Sequence, residues 1–320
     1  MNSSNQAAES ETILHKLVSV YSKLIDDLKL ESNGVTYFAH FLTPDLESMG
    51  PDVSKLQAEE CYRVYLLGML ERCHLTSVTS LARTNSWLKS SLSELSNGNL
   101  LGFSASLRGL LEAAADTHDA SSVMVEQLYN LFPFIYLRLA RGNSTAPGVV
   151  LNILEDRLIH YSYARRPSRG HEPLPQHRNK TNALYIQAIE ESGAAGAKEL
   201  YQLLCELTHP AAASVSCFLR ETEQEIVLDF SQEEEIINKV VTDYRETIKS
   251  LVADTVNSAL ISIILIRKIG YEVPAPHQSY FSEMDGATRI FSRVDEFLLS
   301  ARNEDFVFSG SMWHHKISAS

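Results

Sequence analysis

The most regular hydrophobic pattern in the chain lies between Asn99 and Asp119. Apolar residues recur there at the three- and four-residue spacing of one helical face. The members of this face are Phe103, Leu107, Leu110, Leu111 and Ala114. Most other positions carry Gly, Ala or Ser, and such small residues allow neighbouring helices to pack closely on several sides. The pattern predicts a central helix inside a helical bundle.

Three charged residues of this helix, Arg108, Glu112 and Asp116, follow one another at intervals of four. They lie opposite the apolar face, where two interpretations are open. In the first, they form a solvated stripe whose pairs each contribute about 0.2–0.5 kcal/mol. In the second, neighbouring helices bury Arg108 and Glu112, and buried charges need partners of the kind that build functional sites.

Helical periodicity extends over most of the remaining chain. A helix is expected to begin after Asp52 or Ser54 and to continue to Leu95, with a candidate break at His74, and Pro133 is expected to break or kink a later helix. The helices that the spacing predicts cover residues 13–30, 53–95, 99–119, 121–140, 147–163, 181–191, 194–209 and 283–301.

Two short segments favour strands instead. Val215–Leu219 and Glu225–Phe230 are separated by a polar turn, so they predict a small hairpin that leans on the helices. Ser231 and Glu234 then have the spacing of a capping box, and apolar residues continue to Gly270. A straight helix of that length would measure roughly 58 Å. It would serve as the spine of the bundle or as a dimerisation surface.

These elements predict a mainly α fold, a multi-helix bundle with a small β-hairpin and a long C-terminal helix. Four consecutive segments are expected: an N-terminal helical segment at 1–52, the bundle core at 53–230 with the hairpin near 215–230, the spine helix at 231–270, and a linker, final helix and tail at 271–320. No internal repeat is visible, so a single helical assembly with two lobes is expected.

The composition is that of an ordinary globular protein. The 320 residues are 44% hydrophobic and 21% charged. The formal net charge of −12 argues against a protein that coats nucleic acids or adsorbs to membranes, although a local basic patch can still act. The four cysteines include no C-x-x-C pair, which predicts reduced thiols.

Two further observations bear on location. The first residues, MNSSNQAAESET, lack the basic and apolar runs of a secretory signal. The most apolar run, Ala259–Ile266, spans only eight residues, whereas a bilayer-spanning helix needs about 20. A cytoplasmic protein without membrane contact is therefore expected.

A second informative region, Leu200–Ala213, has His209 at the end of its predicted helix, directly before Pro210. One face of this helix consists of Tyr201, Leu204, Leu207 and Thr208. An imidazole at a helix C-terminus meets the negative end of the helix dipole, which favours its protonated form. His209 either caps its own helix or reaches Arg108 and Glu112 across the bundle. In the second case these three residues form a candidate catalytic centre.

Two motifs together resemble a known family. LRGLLEAAADTH contains Arg108 and Glu112, and YQLLCELTHP, further along the chain, ends in the His209–Pro210 pair. The combination resembles uncharacterised bacterial all-helical proteins that are similar in outline to the HEPN (higher eukaryote and prokaryote nucleotide-binding) superfamily, over roughly Arg63–Phe218. The resemblance implies a helical bundle that can be dimeric. In active HEPN members it implies a metal-independent ribonuclease of toxin or antiphage systems.

The motif of active HEPN members is an arginine, usually followed by a polar residue, then four to six residues and a histidine, on a helix. Arg165 or Arg166 with His171 has this spacing, but Pro167 and Gly170 place the segment in a loop. The chemistry that the resemblance implies needs no metal, because histidine acts as general acid or base and arginine stabilises developing charge.

The loop at 165–180 contains three prolines and carries five Lys or Arg residues against one acidic residue. Together with Tyr161 and Tyr163 upstream, it can contact phosphates and stack a base, which makes RNA a candidate ligand. The candidate substrate-binding residues are Arg165, Arg166, Arg169, His171 and Arg178. A loop of this composition can equally be a solvated, mobile connection.

No metal and no cofactor are expected. The His118–Asp119 pair lacks the additional spaced histidines of a metal site, and the chain contains no Gly-rich phosphate loop.

Two hypotheses of different class follow. The first is a HEPN-like cytoplasmic protein, a bacterial defence or toxin component directed at RNA, in which Arg108, Glu112 and His209 converge in an open cleft. The second is a non-enzymatic interaction protein whose long helix and acidic surface bind a protein partner or a second copy. The second hypothesis allows those three residues to be dispersed or sealed in a structural network.

Overall fold

The computed structural model describes residues 3–37, 54–165, 177–210, 212–277, 287–303, 306–309 and 312–315. The described chain is mainly helical, with a small hairpin and a long helix near its C-terminal end, which confirms the predicted fold class. Its elements, in chain order, are α1 (Ser3–Ser32), α2 (Lys55–Ser96), α3 (Leu100–Asn130), α4 (Phe132–Leu139), α5 (Asn152–Tyr163), α6 (Asn182–Glu191), α7 (Ala197–Thr208), α8 (Ala212–Ser216), β1 (Leu219–Glu221), β2 (Ile226–Leu228), α9 (Gln232–Asp243), α10 (Arg245–Lys268), α11 (Ala287–Asn303), β3 (Phe306–Ser309) and β4 (Met312–His315).

The chain divides into two compact units, each built from three separated segments. Unit 1 consists of Met1–Leu30, Val78–Asp119 and Ala164–Val256, and unit 2 consists of Glu31–Ser77, Ala120–Tyr163 and Asn257–Ser320. Segments far apart in the sequence therefore build each hydrophobic core.

The helix α2 is continuous through His74, so the candidate break at that residue does not occur. Its start is fixed by a reciprocal cap. The Gln57 N–H donates to Ser54 Oγ (3.3 Å), and the Ser54 N–H donates to Gln57 Oε1 (2.9 Å). This confirms Ser54 as the capping residue, in the arrangement of a capping box.

The helix α3 is longer than predicted, because it continues past Asp119 to Asn130. The sequence DASS at 119–122 contains neither Gly nor Pro, so nothing there interrupts the helical hydrogen bonds. The chain breaks instead at Leu131, with Pro133 in the first turn of α4. Proline is tolerated in that turn because its missing N–H would have no helical partner.

The predicted spine helix is divided into α9 and α10 at Tyr244, whose φ of −105° and ψ of 21° leave the helical range. The break lies beside the start of α7, where Thr247 Oγ1 donates to the Ala195 carbonyl (2.6 Å). The predicted capping box at Ser231 is wrong. Ser231 makes no side-chain cap, because its hydroxyl donates to Asp229 Oδ1 (2.6 Å) instead.

The predicted hairpin is present as the antiparallel pair β1–β2, with Arg220 opposite Val227. Its first strand is shorter than expected, because Val215 lies in α8. A second antiparallel hairpin, β3–β4, pairs Phe306–Ser309 with Met312–His315. The sequence pattern predicts only a tail for that segment.

One helix among the described residues, α10, is long and apolar enough by length and composition to cross a membrane. In the most apolar 18-residue stretch of this helix, 61% is buried within the protein. A core helix has the same properties, and most of the apolar side chains of α10 are packed against the chain itself.

The predicted apolar face of α3 is the centre of the unit 1 core. Its five residues, Phe103, Leu107, Leu110, Leu111 and Ala114, are fully buried. Small residues beside that face are also buried, namely Ser104, Ser106, Ala113 and Ala115. At Gly109 the helix is covered by the Trp87 ring of α2, because a Cβ at position 109 would lie 2.7 Å from ring carbons of Trp87. Only glycine fits beneath that ring.

We expect Gly109→Ala to lower the free energy of unfolding by about 1–3 kcal/mol, because the whole Trp87 ring would have to move. Gly68→Ala is the matched control, since Gly68 is a helical glycine of α2 with nothing within 4 Å of an added Cβ. That change should raise the free energy of unfolding by up to about 1 kcal/mol, through helix propensity. Urea denaturation measures both, and equal effects of the two changes would refute the close approach of Trp87.

The core of unit 2 packs apolar residues of α2, α3, α4, α5, α10 and α11, with Phe132 and Phe297 in an edge-to-face contact at 6.1 Å. Within this unit, His74 is fully buried. Its Nδ1 lies 2.7 Å from the Tyr37 hydroxyl, and its Nε2 lies 2.8 Å from the Pro274 carbonyl. The carbonyl can only accept, so Nε2 carries the proton and Tyr37 donates to Nδ1. The neutral imidazole of His74 therefore holds Tyr37 and the Pro274 carbonyl in place through these two hydrogen bonds.

Burial lowers the pKa of His74 below its ordinary value of 6.5, against the opposing effect of the hydrogen bond to Pro274. Below that ordinary value the unfolded chain takes up a proton that the folded chain resists. The contribution of the neutral His74 to the free energy of unfolding is therefore fully present above about pH 6.5 and is lost as the pH falls.

We expect His74→Gln to flatten this loss between about pH 7.5 and about pH 5, because glutamine does not titrate. Urea denaturation at the two pH values measures it. His209→Gln, at an exposed histidine, is the control. An unchanged pH dependence in the His74 variant would contradict a buried neutral imidazole.

Candidate functional site

Arg108 and Glu112 meet on the partly exposed side of α3. Arg108 Nε donates to Glu112 Oε1 (2.9 Å), and Arg108 Nη1 donates to Thr208 Oγ1 of α7 (3.2 Å). The guanidinium also lies over the Tyr201 ring, 5.6 Å from its centroid. Side chains of 26% and 30% exposure make this an ordinary i,i+4 pair, anchored at one end to α7.

Burial and partners act in opposite directions on this group. Partial burial works to lower the pKa of Arg108, but the hydrogen bond and the charge of Glu112 outweigh it, so the pKa is raised. The pKa of the Tyr201 hydroxyl is raised, chiefly by burial. Both shifts keep the groups in their usual protonation states at neutral pH, so neither Arg108 nor Tyr201 is prepared to exchange a proton.

His209 does not join this pair by hydrogen bonding. It is exposed, and its backbone N–H donates to the Cys205 carbonyl at the end of α7 (3.0 Å). Among the described residues, no hydrogen bond or ion pair links its imidazole to Arg108 or Glu112. The contact of Arg108 with α7 is made by Thr208 and Tyr201, which the sequence identified only as part of a helix face.

Only the base of the basic loop is described, and Arg166, Arg169 and His171 lie outside the described residues. Arg165 and Arg178 are both exposed and form an isolated β-bridge. Lys180 then binds both oxygens of Asp119, at 2.6 Å and 2.8 Å. The two ends of the loop are therefore held together, with two arginines side by side at its base.

The His118–Asp119 pair is part of this ion-pair region. Burial lowers the pKa of His118, against the opposing charges of Asp254 and Asp119. Within the described ranges, no group of three His, Cys, Asp or Glu side chains is placed to hold a metal ion.

A group of exposed apolar residues lies on the hairpin β1–β2 of unit 1 and next to it along the chain. We call it the hairpin surface, and its members, which are 44% to 68% exposed, are Val215, Ile226, Val227, Leu228 and Phe230. The Phe230 ring packs against the Phe218 ring, with 6.0 Å between the two centroids. Exposed apolar residues that cluster in this way mark interaction sites. The sequence pattern predicts the strands but not the exposure of their apolar side chains.

Next to the hairpin along the chain, α7, α8 and α9 enclose a groove of about 530 Å³. Its apolar lining includes Leu203, Leu207, Cys217, Ile236 and Val240. Burial raises the pKa of the Cys217 thiol, so the thiol stays protonated and behaves as an apolar side chain. The groove adds concave apolar surface beside the exposed strands.

The sequence that contains the hairpin and the start of α9 is acidic. Residues 219–235 contain seven acidic side chains and one basic side chain. Arg220 pairs with Asp229 at 2.5 Å, and hydrogen bonds from Ser231 together with the charge of Arg220 lower the pKa of Asp229. Five exposed carboxylates form no ion pair in the described part of the chain, namely those of Glu221, Glu223, Glu225, Glu234 and Glu235.

Comparison of the chain with family models, with curated proteins and with solved structures gave no match. The resemblance to HEPN proteins consequently rests on the residues Arg108, Glu112, His209 and Pro210 and on their spacing alone.

Proposed function

We propose that the chain is a non-enzymatic interaction protein that binds another protein through the hairpin surface. The single observation that supports this most directly is the exposure of Ile226 and Leu228, at 66% and 68%, on a strand with three apolar residues in succession. Burial of one such side chain by a partner contributes about 1.5–3 kcal/mol. Two or three of them would form the apolar centre of an interface.

The geometry favours this function over catalysis. Arg108 and Glu112 are held by each other, by Thr208 and by Tyr201, in an arrangement that a structural ion pair also shows. It also favours the hairpin over α10 as the docking element, because most apolar residues of α10 are buried within the chain. A surface that is apolar at its centre and charged at its rim resembles the anatomy of protein interfaces.

A photo-crosslinking amino acid in place of Leu228, in cells that express the full chain, should give a discrete adduct with one partner protein. The same amino acid in place of Leu184, an equally apolar residue of α6 with 55% exposure, should not. The adduct is identified by mass spectrometry, and the partner is then purified and titrated against the chain.

In that titration, Leu228→Ser should weaken binding by about tenfold or more, which corresponds to about 1.4 kcal/mol. Leu184→Ser should leave the affinity unchanged. Adducts of equal yield from positions 228 and 184, or equal affinities of the two variants, would show that the hairpin surface is not the docking site.

A second candidate function is the HEPN-like, RNA-directed activity of a cytoplasmic bacterial defence or toxin component. One observation supports it: the hydrogen bond from Arg108 to Thr208 brings the arginine to the residue that directly precedes His209. Arg165 and Arg178, adjacent at the base of the basic loop, would supply phosphate contacts.

For this second candidate we expect cleavage of single-stranded RNA by the purified chain in the presence of a chelator. His209→Ala and Arg108→Ala should each lower the rate by about 100-fold or more, the usual contribution of a general acid or base. Arg63→Ala, at an exposed arginine of α2, should retain it. Absence of cleavage, or equal loss in all three variants, would eliminate the ribonuclease.

A further inference from the structure

Within the described part of the chain, the strand β2 is paired on one side only. The Thr222 N–H donates to the Glu225 carbonyl, and the Asp229 N–H donates to the Phe218 carbonyl, each at 2.9 Å. Because hydrogen-bonded pairs alternate along an antiparallel ladder, the N–H and C=O groups of Ile226 and Leu228 point away from β1. The sheet has two strands, and within the described residues neither of these two residues has a backbone partner on that side. This edge is open to a third strand.

The two faces of β2 differ in character. Side chains alternate along a strand, so Ile226 and Leu228 share one face, with Glu221 and Leu219 of β1 opposite them. The other face of β2 carries Val227, with Glu225 before the strand and Asp229 after it, and Asp229 is paired with Arg220 of β1. A third strand beside β2 would therefore meet Ile226 and Leu228 on one face and, on the other, Val227 and the Glu225 carboxylate.

A second copy of the chain is a poor occupant of this edge. If β2 paired antiparallel with the β2 of another copy around Val227, Glu225 of each copy would lie opposite Asp229 of the other, whose charge is offset in part by Arg220. Like charges directly opposite each other destabilise a strand pair. The other four exposed carboxylates of residues 219–235 would add to this repulsion.

We infer that β2 accepts an extended segment of a partner protein as a third strand, and that this segment alternates apolar residues with Lys or Arg. The inference rests on the proposed interaction function and specifies its partner. The partner's backbone pairs with Ile226 and Leu228, its apolar side chains extend the apolar face, and its basic side chains meet Glu225 and the surrounding carboxylates. Main-chain hydrogen bonds supply affinity in this mode, and alternate side chains supply specificity.

The purified full chain is titrated by calorimetry with a synthetic peptide of about seven residues in which Val and Lys alternate, a length typical of an added strand. We expect saturable binding. A peptide of alternating Val and Glu should bind at least tenfold more weakly, because it places like charges against Glu225. Leu228→Ser and Glu225→Lys should each weaken binding of the Val and Lys peptide about tenfold, whereas Leu184→Ser should not.

The net charge of −12 attracts any basic peptide, so the decisive control keeps the charge. The same Val and Lys peptide is N-methylated at its Val residues, whose N–H groups face β2 when they lie opposite Ile226 and Leu228 in an antiparallel pair; this removes the strand hydrogen bonds and leaves every side chain in place. It should bind at least tenfold more weakly. Equal affinity of the methylated peptide, or equal affinity of the Val and Glu peptide, would overturn the inference.

The outcomes also separate this inference from the proposed function. A crosslinked partner at position 228, with no binding of the Val and Lys peptide, would overturn strand addition and leave the interaction function standing. If no crosslinked partner is found and the peptide does not bind, both the interaction function and the strand addition are refuted. In that case Glu225 and Asp229 serve only to keep the open edge from pairing with itself.

Discussion

Burial of one face of α3 determines the arrangement of unit 1. The five residues of that face are fully buried, and each of the four larger ones, Phe103, Leu107, Leu110 and Leu111, contributes about 1.5–3 kcal/mol. The Arg108–Glu112 pair, at 26% and 30% exposure, contributes about 0.3–0.5 kcal/mol. The apolar face therefore fixes the rotation of the helix, and the charged pair takes the place that this rotation leaves. Its contacts with Thr208 and Tyr201 follow from where α7 packs, so the polar group is a result of the fold and not a condition for it.

The helical elements are largely predictable because a 3.6-residue period is a local property of the sequence. The ends of the helices depend on competition for particular hydrogen bonds. Ser231 has the spacing of a cap, yet Asp229, two residues earlier, takes its hydroxyl. The division of the long helix at Tyr244 lies beside a contact with Ala195, which is 52 residues from Thr247, and no local pattern contains such a contact.

The candidate site is predictable to the same limited extent. The spacing of Arg108 and Glu112 correctly indicates a pair, because residues four apart share one face of a helix. Thr208, the partner of Arg108 on α7, lies 100 residues further along the chain. Arg108 bonds to Thr208 and not to His209 because α7 ends at Thr208. The exposure of Ile226–Leu228 cannot be predicted from the sequence, since a short apolar run is equally typical of a buried strand. Its exposure is decided by what the fold leaves uncovered.

An exposed two-stranded hairpin is marginal by itself, so the persistence of apolar side chains on β2 calls for a physical explanation. The Arg220–Asp229 ion pair and the Phe218–Phe230 contact hold its base. Asp229 is neutralised by Arg220, so Glu225, at the start of the strand, is the free carboxylate that would oppose pairing with a second copy. Charge that repels an identical strand attracts one of opposite charge. On the proposed function, the Glu225 carboxylate both opposes pairing with a second copy and favours a partner strand of opposite charge, so one residue serves both purposes at this edge.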